Sequence, residues 1–205
     1  MEQKGAPPGI EKARKRAERQ RKYARPLYGL LLKGIRALRT SGDYLEMGAG
    51  SGLLAAMVAE DGSATSITAV DISADDITVA SEYVRERRLE DRIRCLVGDV
   101  YDQNMMRELG KFDLVYSAFS LHHWKDPIKS IGNLWNAVRD NGVLYICDFR
   151  RVWWANFLSF RGKGIHSRDS YTPAEIGAIL RELGIANYKI KTSFPFFLQS
   201  VTAWK

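Results

Sequence analysis

Three carboxylates and two imidazoles stand where this sequence can do chemistry. Glu46 lies two residues before the first glycine of the run Tyr44-Leu45-Glu46-Met47-Gly48-Ala49-Gly50-Ser51-Gly52. Asp71 closes the β-branched, apolar run Ser66-Ile67-Thr68-Ala69-Val70, and Asp99 follows Ile93-Arg94-Cys95-Leu96-Val97-Gly98. His122 and His123 come just after Phe112-Asp113-Leu114-Val115-Tyr116-Ser117. An acid about 20 residues past a glycine turn is suited to a ribose, because a carboxylate accepts both hydroxyl protons. An acid in front of the glycines repels a pyrophosphate and welcomes a cation or an ammonium group. The spacing G-x-G-x-G also differs from the G-x-G-x-x-G dinucleotide fingerprint. Together these features point away from NAD and toward a positively charged cofactor. Imidazoles past a strand end are where a base belongs when the reacting group must lose a proton.

The glycine run must be a turn between a strand and a helix, since Leu53-Leu54-Ala55-Ala56-Met57-Val58-Ala59 follows directly with helical patterning. Such a turn leaves backbone N–H groups free to donate and no side chain to block close approach. Further strands are predicted at Ser66–Asp71, Ile93–Val100, Phe112–Ser117 and Val143–Asp148, with helical segments between them. Strand and helix alternating at this interval predict a parallel sheet covered on both faces. In such sheets ligands bind at the carboxyl ends of the strands, near the point where strand order reverses. Asp126-Pro127 and Thr172-Pro173-Ala174-Glu175 read as helix starts, the second a capping box. Two closing strands are predicted, Ala186–Phe194 and Phe197–Trp204, which brings the count to seven. A chain of 205 residues with 45% hydrophobic content fits a single core.

The runs around Glu46–Gly52, Val70-Asp71-Ile72-Ser73, Gly98-Asp99-Val100 and Phe112–Ser117, in this order and spacing, resemble the class I S-adenosylmethionine-dependent methyltransferases. The resemblance covers roughly residues 42–205 and is nearest the small-molecule, type 11-like branch, through Leu121-His122-His123-Trp124-Lys125-Asp126-Pro127. It implies an α/β fold: a doubly wound, mostly parallel, seven-stranded Rossmann-like sheet with an antiparallel last strand and an N-terminal helical cap. It implies S-adenosyl-L-methionine as cofactor. Besides Glu46, the turn Gly48, Ala49, Gly50 and Gly52 would pass under its methionine part, and Asp71 would take the ribose hydroxyls. Ile72 would pack on the adenine, Asp99 would accept from the adenine amino group, and the Val100 N–H would meet a ring nitrogen. Ser117, or its carbonyl, would lie near the methionine amino group.

The net charge of +7 belongs to one segment. Residues 1–40 hold 12 Lys and Arg against 3 Glu, a net of +9, and the remaining 165 residues hold 19 basic against 21 acidic, a net of −2. This segment divides from a methyltransferase domain over 41–205. Its first half, dense in Arg and Lys, carries Ile10, Ala13, Ala17 and Ala24 at helical spacing. Pro26 interrupts, and Leu27, Leu30, Leu31, Ile35 and Leu38 then form an apolar helix face. The second half is expected to pack on the domain over the cofactor end. The first half is a solvated helix, a pocket-closing helix, or an arm for an anionic membrane surface or nucleic acid. Tyr23 and Tyr28 flank Pro26 and are candidates for the mouth of the substrate site.

The acceptor is read from what remains. His122 and His123 are candidate bases, and in an extended stretch adjacent side chains point opposite ways, so one of the pair would face the site. With one further histidine, His166, and no clustered thiols, no metal site is expected. The stretch Ser117-Ala118-Phe119-Ser120 lacks the Asn/Asp-Pro-Pro-aromatic signature for amide or base nitrogens, and no Pro-Cys pair occurs. A small-molecule acceptor, anionic or aromatic, methylated on oxygen or carbon, is therefore expected, with Arg150, Trp153 and Trp154 as substrate-contact candidates. The alternatives are an RNA-directed methyltransferase using the basic arm and a non-catalytic cofactor-binding protein. Cys95 and Cys147 read as small buried hydrophobes. No apolar run reaches the roughly 20 residues of a membrane span, and no signal-peptide core is seen, which predicts a cytoplasmic protein.

Overall fold

The computed structural model describes residues 9–151, 170–193 and 198–205. Seven strands form one sheet: β1 (Gly42–Met47), β2 (Ala64–Asp71), β3 (Ile93–Val97), β4 (Phe112–Ala118), β5 (Val138–Phe149), β6 (Tyr188–Ser193) and β7 (Leu198–Trp204). Their spatial order is β3-β2-β1-β4-β5-β7-β6. The strands β1 to β5 are mutually parallel, and β7 runs antiparallel to both β5 and β6. Strand order reverses between β1 and β4, and the crevice over their carboxyl ends is where a ligand belongs. The doubly wound, Rossmann-like sheet expected from the sequence is the one observed.

Parallel neighbours need crossovers, and helices supply them: α3 (Leu53–Asp61), α4 (Ala74–Glu86), α5 (Gln103–Leu109) and α6 (Pro127–Ala137), with α7 (Pro173–Glu182) leading to the closing hairpin. Each central strand feeds two cores by strict alternation. Tyr44, Leu114, Tyr116, Val143, Tyr145 and Cys147 face α3 and α4. Leu45, Val115, Leu144 and Ile146 face α5, α6 and α7, against Met106, Ile131, Leu134, Ile176 and Leu180. Helix starts follow the sequence signals. Asp126 accepts from Lys129 N–H at 2.9 Å, and Thr172 and Glu175 close a reciprocal capping box. The sixth strand begins at Tyr188, two residues later than expected, and Phe194 and Phe197 lie outside the described residues. Cys147 is buried, whereas Cys95 is only half-buried.

Residues 10–37 of the N-terminal segment form one continuous helical run. Helix α1 (Ile10–Arg19) passes through a π-helical turn at Gln20–Ala24 into α2 (Arg25–Ala37). The expected break at Pro26 is instead a continuation: Pro26 sits in the first turn of α2, directly after the π turn. The stripe on α1 is narrower than expected, since Ala13 and Ala17 are buried against Val79 of α4 while Ala24 is only half-buried. Arg14 pairs with Glu82 at 2.6 Å, Arg16 pairs with Asp76, and the Arg21 guanidinium stacks over the Tyr83 ring at 3.8 Å. Helix α2 sends Leu31 and Ile35 into the core. Gly34 permits that approach, because a Cβ there would stand 2.9 Å from the Tyr145 ring. Among the described residues, no helix is long and apolar enough to cross a membrane.

Candidate functional site

The site is built on the glycine turn that closes β1. Gly48 and Gly50 adopt φ of 79° and 52°, a region that L side chains rarely enter. The N–H groups of Gly48 and Ala49 both donate to the Val70 carbonyl, at 2.8 and 3.0 Å, which ties the turn to the end of β2. The Gly50 N–H donates to Asp71 Oδ2 at 2.8 Å and the Ser73 N–H donates to Oδ1 at 3.0 Å. Both carboxylate oxygens of Asp71 are thus oriented by backbone. Burial holds the Asp71 carboxyl above its ordinary range, against the opposing pull of those two donors. Gly52, at the entry to α3, serves packing: a Cβ there would lie 3.0 Å from Ala80 Cβ.

Beside the turn is a cavity of about 350 Å³ reaching the carboxyl ends of β1, β2 and β3 and the loop after β4. Gly48, Asp71, Ile72, Asp99, Val100 and His123 line it, as do Tyr101, Ser120, Trp124 and Lys125, which the sequence reading did not single out as site residues. Ile72 is 69% exposed, an apolar platform facing open space. Asp99 accepts from the Tyr101 N–H at 2.9 Å. The Asn133 amide donates to the Val100 carbonyl at 2.8 Å. The Tyr101 hydroxyl accepts from the Asp126 N–H at 2.8 Å and so joins this wall to the start of α6.

Glu46 lies behind the turn, 2% exposed, and accepts from the Tyr116 hydroxyl at 3.1 Å. Burial pushes its pKa up to about 8; Asp71 adds to the rise, while Tyr116 and the Ala55 N–H oppose it. The Tyr116 phenol is displaced well upward by burial and by Glu46, and Tyr28 of α2 is raised for the same reasons. Tyr28 thus shares the electrostatic environment of Glu46. Tyr23 does not: it is 68% exposed, with the Lys22 ammonium 5.2 Å from its ring. The Ser117 side chain also departs from its expected position. Its hydroxyl donates to the Met47 carbonyl at 2.7 Å and locks β4 to β1, and Ser120 takes the place beside Gly48.

The two histidines sit in a 3-10 turn, Leu121–His123, and not in an extended stretch. The rings therefore do not diverge; their centroids are 4.0 Å apart. His123 is exposed and lines the cavity, whereas His122 is buried. Asp148, at the end of β5, holds His122 twice: Nδ1 lies 2.7 Å from Oδ1, and the backbone N–H donates to Oδ2 at 3.0 Å. Asp148 was missed from sequence although it carries the same mark as the other acids, a carboxylate at the carboxyl end of a strand. An aromatic wall adjoins the pair. Tyr28 meets Phe119 at 5.6 Å, Phe119 meets Phe149 at 5.0 Å, and Phe149 meets His122 at 5.6 Å. Phe119 has a φ of 55°, a strained conformation for a bulky residue, of the kind that clusters at functional sites. Arg150 is half-buried and bridges to Tyr171, while Trp153 and Trp154 lie outside the described residues. Among the described residues, no three His, Cys, Asp or Glu side chains are grouped so as to hold a metal ion.

Comparison with known proteins agrees with this geometry. The sequence profile described as a methyltransferase domain matches residues 45–146, about half of the chain. The ubiquinone biosynthesis O-methyltransferase of Glaesserella parasuis is 26% identical over 143 residues, covering 64% of this chain and 60% of that protein. An uncharacterized Synechococcus protein is 31% identical over 108 residues, covering 53% of this chain and only 25% of its own length. The chain thus spans less than two thirds of the length of these relatives. Among solved structures, a SAM-dependent methyltransferase from Aquifex aeolicus superposes with a TM-score of 0.70 at 19% identity, covering 95% of this chain and 97% of that one. The magnesium protoporphyrin IX methyltransferase of Synechocystis, with bound SAH, gives 0.68 at 17% identity, with coverage of 99% and 90%. At such identities the structures establish the fold, and the matched profile carries the assignment to a family. With its glycine turn between an acid and a helix, and further acids at the next strand ends, the chain belongs to the S-adenosylmethionine-dependent class I methyltransferases.

Proposed function

We propose that this protein methylates a small-molecule acceptor in the cytoplasm, on an oxygen or, as the nearest variant, a carbon that must lose a proton. The observation that carries the reading is the buried His122–Asp148 pair beside the Tyr28-Phe119-Phe149 wall, at the strand ends next to the cofactor cavity. The similarity to ubiquinone biosynthesis O-methyltransferases supports oxygen.

The residues present fit S-adenosylmethionine. A side chain on Gly48 would run into Ser120, so the floor must be bare, and a cavity of about 350 Å³ is of nucleoside scale. Asp71 would hold the ribose hydroxyls, Ile72 the adenine face, and Asp99 with the Val100 N–H the adenine edge. Glu46 and the turn Gly48 to Gly50 would serve the cationic end, with the Ser117 carbonyl as a further acceptor there. The cofactor supplies a methyl carbon made electrophilic by its sulfonium. The protein supplies position and a proton acceptor. Asp148 orients the His122 imidazole through Nδ1, and its carboxylate would stabilise the imidazolium of a His122 that serves as proton acceptor. His123, its ring tilted against His122 at 4.0 Å and lining the cavity, is the second candidate for that role. Arg150, just after β5, would select an anionic group, and Trp153 and Trp154 are assigned to the acceptor side from sequence alone.

The RNA-directed alternative rests on the basic segment, but Arg14, Arg16 and Arg36 there are committed to carboxylates of the domain. Incubation with methyl-labelled cofactor and a total metabolite extract separates the readings. Label in a low-molecular-weight product, with stoichiometric S-adenosylhomocysteine, is the expected result. Label confined to RNA, or cofactor binding without turnover, would overturn it.

A further inference from the structure

One face of the N-terminal helices takes no part in methyl transfer. Their inner side is docked through Ala13, Ala17, Leu31 and Ile35 and through the ion pairs of Arg14, Arg16 and Arg36. On the outer side Lys12, Arg19, Lys22, Arg25 and Lys33 are exposed, and none has a carboxylate partner among the described residues. Two large apolar side chains stand exposed among these cations, Tyr23 at 68% and Leu30 at 42%. Charge is unevenly divided: residues 1–40 carry +9 (12 basic, 3 acidic) and the rest of the chain −2 (19 basic, 21 acidic).

We propose that this outer face docks on an anionic phospholipid bilayer. Cations on a helix with aromatic and aliphatic side chains between them suit the headgroup region, where lysine and arginine meet phosphate and the apolar groups enter the acyl boundary. Bulk net charge alone would serve any polyanion. Leu30 decides between partners, because an exposed aliphatic side chain offers a nucleic-acid phosphate nothing, whereas it gains from a lipid interface. The surface is continuous with the site. The Ser51 hydroxyl of the cofactor turn donates to Gln20 at 2.9 Å, and Tyr28 of the same helical segment touches Phe119. Docking therefore engages the element that helps wall the acceptor region, although the proposal does not depend on which acceptor is used.

Co-sedimentation of the full chain with phosphatidylcholine vesicles containing about 30% phosphatidylglycerol, against pure phosphatidylcholine, tests this directly. Binding to the anionic vesicles alone, weakened by high salt, is expected. Arg19→Gln with Lys22→Gln should lower the partition constant roughly 25-fold, at about fivefold per cation. Tyr23→Ser with Leu30→Ser should lower it about tenfold or more, at unchanged charge. Lys12→Gln with Lys33→Gln, away from the π turn, must show a loss comparable to that of the first pair, with melting temperature and cofactor affinity preserved. Absence of vesicle binding, equal binding to neutral vesicles, or indifference to the Tyr23 and Leu30 changes overturns the proposal. So does tighter binding to structured RNA at physiological salt. None of these readouts depends on turnover, so their failure is distinct from failure of the small-molecule reading.

Discussion

Lowering the pH should cost this protein most of its affinity for S-adenosylmethionine, because Glu46 takes up a proton. The carboxyl is sealed behind the glycine turn and its pKa stands at about 8, against an ordinary 4.5. A cationic ligand end placed at this turn favours the carboxylate form, so binding and deprotonation are coupled. Well below that pKa each pH unit costs close to a factor of ten, about 1.4 kcal/mol. Glu46 is half ionised near pH 8 and on the order of 1% ionised near pH 6, so affinity should fall roughly 50-fold between them. Calorimetric titration in two buffers of different ionisation enthalpy should show nearly one proton released per cofactor bound near neutrality.

The sign reverses for the ligand-free fold. A carboxyl whose folded pKa is raised contributes stability that is fully present below about 4.5 and is lost as pH rises through about 8. The melting temperature of the free protein should therefore decline over that window, while the increment added by the cofactor grows. Asp71 is also raised, so Glu46→Gln is the control that isolates the group: it should flatten both trends while keeping any Asp71 contribution. An affinity independent of pH between about 6 and 8, or a Glu46→Gln variant with the wild-type pH dependence, would refute the coupling.

Gly48→Ala combines a φ of 79° with a Cβ 2.7 Å from Ser120 Cβ, and should lose about 1–3 kcal/mol in chemical denaturation together with most cofactor binding. Asp148→Asn should lower turnover of the labelled acceptor roughly 10²–10⁴-fold and change its pH profile, with cofactor affinity nearly unchanged; a proportional loss of both would mean that the residue only supports the fold. Ala17→Leu overpacks the α1–α4 joint and should lower stability by about 1–3 kcal/mol, read as a shifted denaturation midpoint. Arg88→Gly relieves a φ of 57° just past the end of α4 and should raise stability by roughly 0.5–1 kcal/mol in the same assay.

What could be read from sequence divides along a physical line. Glu46, the glycines, Asp71 and Asp99 announce themselves because the pattern that proposes them for the cofactor is local: a strand end, a left-handed turn and the next N–H groups lie within a few residues of one another. The His122–Asp148 pair spans 26 positions, and its partners meet only after β4 and β5 have paired. His123 does line the cavity while His122 is buried, but not by alternation, which holds in extended backbone, since Leu121–His123 is a 3-10 turn. Ser117 shows the converse: its type and place suit a cofactor contact, yet the nearby Met47 carbonyl, brought alongside by the β1–β4 ladder, captures the hydroxyl. Tyr23 and Tyr28 looked equivalent about Pro26, but five residues through a π turn separate an outward position from one beside Phe119. The cofactor half is made of backbone geometry and follows wherever its glycine spacing goes. The proposed acceptor half draws on side chains from α2, the loop after β4 and the end of β5, which meet only once the sheet has closed.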